Sequence, residues 1–286
     1  MEYVVDLGDG AHVGVAEFGD PDGVPVLWCH GGPGSRLDAA SGHLGAVAAA
    51  VRLIALDRPG IGLSSRRPVE TVAQWAMSAG ETLDRIGVGR FAVAGWSAGG
   101  AYALACGAEL GERVSAIATV SGMIPVAPNH DRAIGSILDR VLIPLSERQP
   151  RGAAIMLLGL YAIPDAMVRW SLIASAGRRD GRALADQRAA DVARFVREAW
   201  RSGPVGVVDD YRRFGGAWGF DLSAVRPHVT VWQGEEDTVV FPTHGRELAA
   251  ALPDASLRVV DGAGHFLFHI CAEEILRDLI ASAAGV

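Results

Sequence analysis

The chain has 286 residues, half of them hydrophobic, and a formal net charge of −7. That is enough apolar surface for one large α/β domain or for a core plus an inserted subdomain, and it excludes an intrinsically disordered chain. The acidic balance argues against nucleic acid as a partner, and all 26 basic residues are arginine, which excludes a lysine Schiff base and a lysine-dependent phosphate loop.

In chain order, apolar runs at 13–18, 24–29, 51–56, 91–94 and 114–120 read as strands, with helical patterns at 37–50, 69–86 and 98–110 between the later ones. The runs are apolar on successive residues, which signals strands buried on both faces of a mostly parallel sheet. The first two are expected to form an antiparallel entry hairpin. After Gly122 about a hundred residues pass without a convincing strand, and 191–201 places Val192, Phe195, Val196, Ala199 and Trp200 at helical spacing. Strands resume at 229–232 and 257–260, and 266–284 reads as a closing helix. The expected division is a core of 1–121 and 222–286 with an insertion over 122–221.

Gly95-Trp96-Ser97-Ala98-Gly99-Gly100 stands between a strand and an alanine-rich helix. Glycines flanking the serine allow a tight turn that holds the hydroxyl out over the sheet edge, although a serine at this point could also be a plain helix N-cap. The strand at 229–232 runs into Gln233-Gly234-Glu235-Glu236-Asp237, a loop with three carboxylates, and that at 257–260 runs into Asp261-Gly262-Ala263-Gly264-His265. A nucleophile, an acid and an imidazole thus follow in that order at separate strand ends, the set needed to ionise a hydroxyl during attack.

The order and placement of these motifs resemble the α/β-hydrolase superfamily over nearly the whole chain. His30-Gly31-Gly32-Pro33-Gly34 is similar to that family's His-Gly-x-Pro loop, and Asp57-Arg58-Pro59-Gly60-Ile61-Gly62-Leu63-Ser64 to its Asp-x-x-Gly-x-Gly-x-Ser turn. The resemblance implies an eight-stranded, mostly parallel sheet flanked by helices, with a helical cap inserted after the sixth strand. It also implies a catalytic triad of Ser97, Asp237 and His265 and an oxyanion hole built from the backbone N–H groups of Gly32 and Ala98. Asp237 is chosen by the family's Gly-x-x-Asp register, with Glu235 and Glu236 as alternatives. His269, one turn beyond His265, is the alternative imidazole. His30 is expected to brace the oxyanion loop, and Asp57 with Arg58 to tie their turn together by an internal ion pair or by N–H bonds.

The reading is a hydrolase of small carboxylic esters or lactones working through an acyl-serine, with no cofactor. A serine nucleophile disfavours the dehalogenases and epoxide hydrolases of this fold, which attack with aspartate. Proline iminopeptidase-like aminopeptidases, C–C bond hydrolases, cofactor-free perhydrolases and small-ligand receptors remain as alternatives. His12, His43, His130, His228 and His244 lack ligand-like spacing, so no metal site is expected. Cys29, Cys106 and Cys271 sit in apolar patterns and read as buried thiols. No signal peptide is evident in the first residues, and the apolar stretch 153–163 is too short to span a bilayer, so a cytoplasmic protein is expected. The apolar segment 153–173 either lines a substrate tunnel or packs the insertion against the core and a second subunit, which leaves a homodimer open; Arg178, Arg179 and Arg182 read as a solvated face.

Overall fold

A computed structural model describes residues 1–8, 10–125 and 136–285. The chain runs through strands β1 (Glu2–Gly8), β2 (Ala11–Gly19) and β3 (Val24–Cys29), helix α1 (His43–Ala48), β4 (Val51–Leu56), α2 (Val72–Arg85), β5 (Phe91–Trp96), α3 (Gly99–Glu109) and β6 (Val114–Val120). Helices α4 (Ile137–Arg148), α5 (Pro150–Tyr161), α6 (Asp165–Ala174), α7 (Arg178–Ala185), α8 (Ala189–Ala199) and α9 (Pro204–Gly215) follow. The chain then closes with β7 (Val229–Gly234), α10 (Pro242–Ala251), β8 (Ala255–Val260) and α11 (Phe268–Ala283).

The strands form one eight-stranded sheet in the order β1-β2-β4-β3-β5-β6-β7-β8. Every pair from β4 through β8 is parallel. The two faces of the sheet carry separate cores, and successive residues of one strand serve both. In β5, Phe91 and Val93 pack with α2 and α3, while Ala92, Ala94 and Trp96 pack with α11. This is why the interior strands read as unbroken apolar runs.

The entry hairpin is not the one expected. β1 pairs antiparallel with β2, β2 pairs antiparallel with β4, and β3 (residues 24–29) lies parallel between β4 and β5. β1 is an edge strand in which only Val5 and Leu7 are buried, and that half-apolar alternation is too weak a signal to stand out beside the fully buried strands. The expected helix over 37–50 is also shorter, since residues Arg36–Gly42 form a 3-10 turn and α1 covers only the remainder.

The helices inserted between β6 and β7 form two clusters, α4 with α5 and α9, and α6 with α7 and α8. Of the apolar segment 153–173, Ala153 and Leu157 are buried, whereas Ile155, Leu158, Met167 and Trp170 are exposed. Among the described residues, no single helix is long and apolar enough to cross a membrane. Arg178, Arg179 and Arg182 are exposed, and the three cysteines are buried and unbridged. Residues 126–135 of the expected insertion, His130 among them, lie outside the described residues.

Candidate active site

Ser97 stands at the apex between β5 and α3 with φ +54°, a left-handed conformation that is strained for a residue with a side chain. Its N–H donates to the Val120 carbonyl (3.0 Å), and its own carbonyl accepts from Gly100 and Met123 (3.0 and 3.1 Å). The glycines on either side are fixed by close approach: a Cβ at Gly95 would sit 2.2 Å from the Gly99 carbonyl oxygen, and one at Gly99 would sit 2.0 Å from that of Cys29. Ser97 is not an N-cap, because that position belongs to Ala98, which makes no side-chain bond to the helix. Among the described residues the Ser97 hydroxyl has no hydrogen-bond partner.

Asp237 and His265 come together. The His265 Nδ1 lies 3.0 Å from Asp237 Oδ2, while Asp237 Oδ1 accepts the N–H groups of Val239 and Val240 (2.8 and 2.9 Å). Both side chains are buried. A carboxylate on Nδ1 fixes the tautomer with its proton there and leaves Nε2 as the free base. Of the alternative acids, Glu236 is engaged by the backbone N–H and guanidinium of Arg178, and Glu235 is exposed. His269 packs near the rings of Trp96 and Phe266 and makes no bond to Asp237.

The imidazole loop is clamped from three sides. The Trp96 indole N–H, on the residue before Ser97, donates to the His265 carbonyl (2.7 Å), and the two rings lie 5.4 Å apart. Asp180, from α7, accepts the N–H of Gly264 on one oxygen and that of Phe266 on the other (3.0 and 2.8 Å), so a buried carboxylate from the insertion straddles His265.

Gly32 and Ala98 are neighbours: a Cβ at Gly32 would lie 3.4 Å from that of Ala98 and 3.0 Å from the Phe214 ring, on α9. Neither backbone N–H has an acceptor among the described residues. Two adjacent unspent donors beside the serine, at the start of a helix, are suited to a developing negative charge.

The loop preceding Gly32 is held tightly. Gly31 donates its N–H to Asp38 Oδ2 (2.9 Å), and Asp38 Oδ1 also accepts the Trp28 indole N–H. Burial pushes the Asp38 carboxyl up to about 7, against the pull of those donors. His30 is buried, and burial followed by the Arg58 charge holds its imidazole well below the usual range, hence neutral. Its Nε2 accepts the Arg58 N–H (3.4 Å), which assigns the proton to Nδ1, 2.8 Å from the Gly31 carbonyl.

The turn after β4 departs from expectation. Asp57 does not pair with Arg58. It binds the Arg36 guanidinium (2.6 Å) and accepts the N–H groups of Arg36 and Leu63, tying the turn by backbone bonds as expected but reaching its ion pair elsewhere. Arg58 instead spans to Asp210, on α9, with two bonds of 2.7 and 2.6 Å. Burial opposes the Asp210 charge, but Arg58 and Arg213 outweigh it and hold its pKa below the ordinary carboxylate range, so that it stays ionised.

Between α9 and α4, the Tyr211 hydroxyl donates to Asp139 (2.8 Å). Burial pushes Asp139 up from the usual carboxylate range, offset by the Tyr211 hydroxyl and by the nearby His265 imidazole. Asp38, Asp139, Asp180, Asp210 and Tyr211 have no sequence signal as site residues, and Arg58 has one only as part of its turn: each meets its partner through the fold rather than through spacing. Among the described residues, no group of His, Cys, Asp or Glu could hold a metal ion.

The sequence profile of the alpha/beta hydrolase family matches residues 26–278. A curated relative, the dihydrolipoyllysine-residue acetyltransferase component of the acetoin cleaving system of Pseudomonas putida, is 24% identical over 277 residues, which are 93% of this chain; the chain spans only 65% of that protein's length. Among solved structures, a thermophilic esterase from Thermogutta terrifontis is similar with TM-score 0.72 and 17% identity, over 100% of this chain and 98% of that one. The enol-lactonase from Burkholderia xenovorans LB400 is similar with TM-score 0.72 and 16% identity, over 99% and 100%.

Proposed function

Taking as premise that the chain belongs to the alpha/beta hydrolase family, we propose that it hydrolyses a small carboxylic ester or lactone through Ser97, His265 and Asp237, with Gly32 and Ala98 as oxyanion donors. The observation that carries this reading is the 3.0 Å contact between His265 Nδ1 and Asp237 Oδ2, at the rim where Ser97 is held in a strained turn. In the proposed reaction the Ser97 oxygen bonds to the carbonyl carbon as His265 Nε2 takes its proton. The carbonyl electrons move to the oxygen, which the two backbone N–H groups receive. Collapse expels the alcohol, protonated by His265, and leaves an acyl-serine that water cleaves by the same steps. The reaction needs no cofactor. Esterase and enol-lactonase names among the similar structures agree with the substrate class.

The inserted helices α4 to α9 serve as the cap of this site, with Phe214 beside the oxyanion donors and Asp139, bonded by Tyr211, within electrostatic reach of the imidazole. The test is intact-mass analysis after incubation with a fluorophosphonate, in which Ser97 displaces fluoride from phosphorus. One adduct in the wild type and none in Ser97→Ala is the expected result. Failure of the wild type to react, or labelling that survives Ser97→Ala, overturns the reading.

A further inference from the structure

We propose that Asp210, carried by the inserted helix α9, is a positioning residue for the oxyanion donor: through Arg58 it fixes the plane of the peptide joining Gly31 to Gly32. The proposal rests on the reading of Gly32 as a donor to substrate and extends it to what aims that donor.

The carbonyl of Gly31 and the N–H of Gly32 belong to one rigid, trans peptide unit and point in opposite directions, so fixing one fixes the other. With glycine on both sides, the flanking torsions resist rotation of that unit less than at any other residue pair. A rotation by half a turn would aim the carbonyl, not the N–H, at the developing oxyanion. Two donors prevent it: Arg58 Nη2 bonds the Gly31 oxygen at 2.8 Å, and the His30 Nδ1–H lies 2.8 Å from the same oxygen. Donors on the carbonyl also polarise the peptide and make its N–H a stronger donor.

Arg58 is itself held from the insertion. While Nη1 binds the His30 carbonyl (2.6 Å), Nε and Nη2 grip both oxygens of Asp210. The Tyr102 hydroxyl and Arg213 add further bonds to Asp210 (2.7 and 3.1 Å), and the Arg58 guanidinium lies 4.4 Å from the centre of the Tyr102 ring. A bidentate grip sets the guanidinium's plane as well as its place, and therefore the direction in which Nη2 points at Gly31.

A second buried arginine provides the contrast. Arg36 also joins core to insertion, pairing with Asp57, Glu2 and Glu198 of α8, yet it makes no hydrogen bond to the Gly31–Gly32 peptide. A general role in holding the insertion down would belong to both links; a role in aiming the donor belongs to one.

The test compares Asp210→Asn, Arg58→Lys and Glu198→Gln with wild type on an activated ester, alongside the inhibition constant of a trifluoromethyl ketone, whose adduct carries an oxyanion. Removing an oxyanion donor outright costs about 10²–10³ in rate, and loosening its support should cost about 10- to 100-fold in kcat. KM should stay within about twofold, and the ketone should weaken in step with kcat, because only a charged tetrahedral species needs the aimed donor. Glu198→Gln should leave both unmoved. Arg58→Lys keeps the buried charge paired with Asp210 and so guards against a failure to fold in Asp210→Asn. Loss confined to KM, or kcat within about twofold of wild type in a folded variant, overturns the proposal. If the wild type neither turns over esters nor takes up a fluorophosphonate, it is the hydrolase reading that fails. The orientation of the Gly31 carbonyl in a crystal structure of Arg58→Lys then decides the positioning role by itself, a carbonyl still in its wild-type direction counting against it.

Discussion

The loop that carries His265 and the loop that carries Gly32 are both braced by a buried aspartate from the insertion, but by different physics. Asp180 accepts the N–H groups of Gly264 and Phe266 directly, so the carboxylate is bonded to the backbone on both sides of the imidazole. Asp210 reaches Gly31 only through Arg58. The lesson is that one sign of charge can support two kinds of loop: where the loop presents N–H groups a carboxylate suffices, and where it must present a carbonyl an intervening cation is needed. Both arrangements make the geometry of the core loops depend on inserted helices, α7 and α9.

The sharpest way to break this comparison is at the proposed acid, Asp237. Asp237→Asn keeps the shape of the side chain but turns the carboxylate that fixes the His265 tautomer into an amide, and it should lower kcat by about 10²–10⁴ with little change in folding. Burst and steady-state rates on an activated ester would measure it. If that variant were silent while Glu236→Gln were crippled, the acid would have to be reassigned despite the contact with Nδ1.

Asp180→Asn is the next largest. An amide can accept at only one of its two ends, so its NH2 group must face either the Gly264 or the Phe266 N–H, leaving a buried donor unpaired at a cost of about 1–3 kcal/mol. The same change lets the imidazole shift, which should lower kcat by about 10- to 100-fold. Thermal unfolding and kinetics on the same sample test both parts together. A drop in melting temperature with no change in kcat would show that Asp180 supports the fold alone.

The division between legible and illegible features follows the same line. Strands β4 and β6 are readable to their ends because their largely apolar runs have no other use than burial on two faces, and the elbow is readable because a Cβ at either of its glycines would fall 2.0 or 2.2 Å from a backbone carbonyl oxygen, so that only glycine fits. The meeting of Asp237 with His265 could be anticipated only from a resemblance, since the two loops are joined by the adjacency of β7 and β8 in the sheet. The supports from Asp180 and Asp210 were out of reach. Their partners lie 84 and 152 positions away, and no periodicity marks which carboxylate on an amphipathic helix faces inward. Of the two ties the sequence allows at Asp57 and Arg58, the N–H bonds form and the internal ion pair does not, because consecutive side chains leaving a strand end diverge and each finds a charge elsewhere.

The smallest expected effect separates the two imidazoles of the His265 region. Burial lowers His269 from 6.5 to about 4, an effect that the Asp180 charge only partly offsets, so the folded protein keeps this ring neutral where the unfolded chain would protonate it. The folded state therefore binds fewer protons between those two values, and stability contributed here is complete above about 6.5 and lost as pH falls toward 4. Asp38, raised to about 7, works in the opposite sense, favouring the folded state at low pH and losing that contribution as pH rises through 7. A wild-type stability curve mixes the two, but the difference between wild type and His269→Leu cancels the Asp38 share. That difference should move in favour of the variant by about 2 kcal/mol between pH 7.5 and pH 4.5, measured by urea unfolding. Turnover by the variant should hold near the wild-type level, because His269 makes no bond to Asp237. A collapse of turnover in His269→Leu would move the general base one helical turn along the chain.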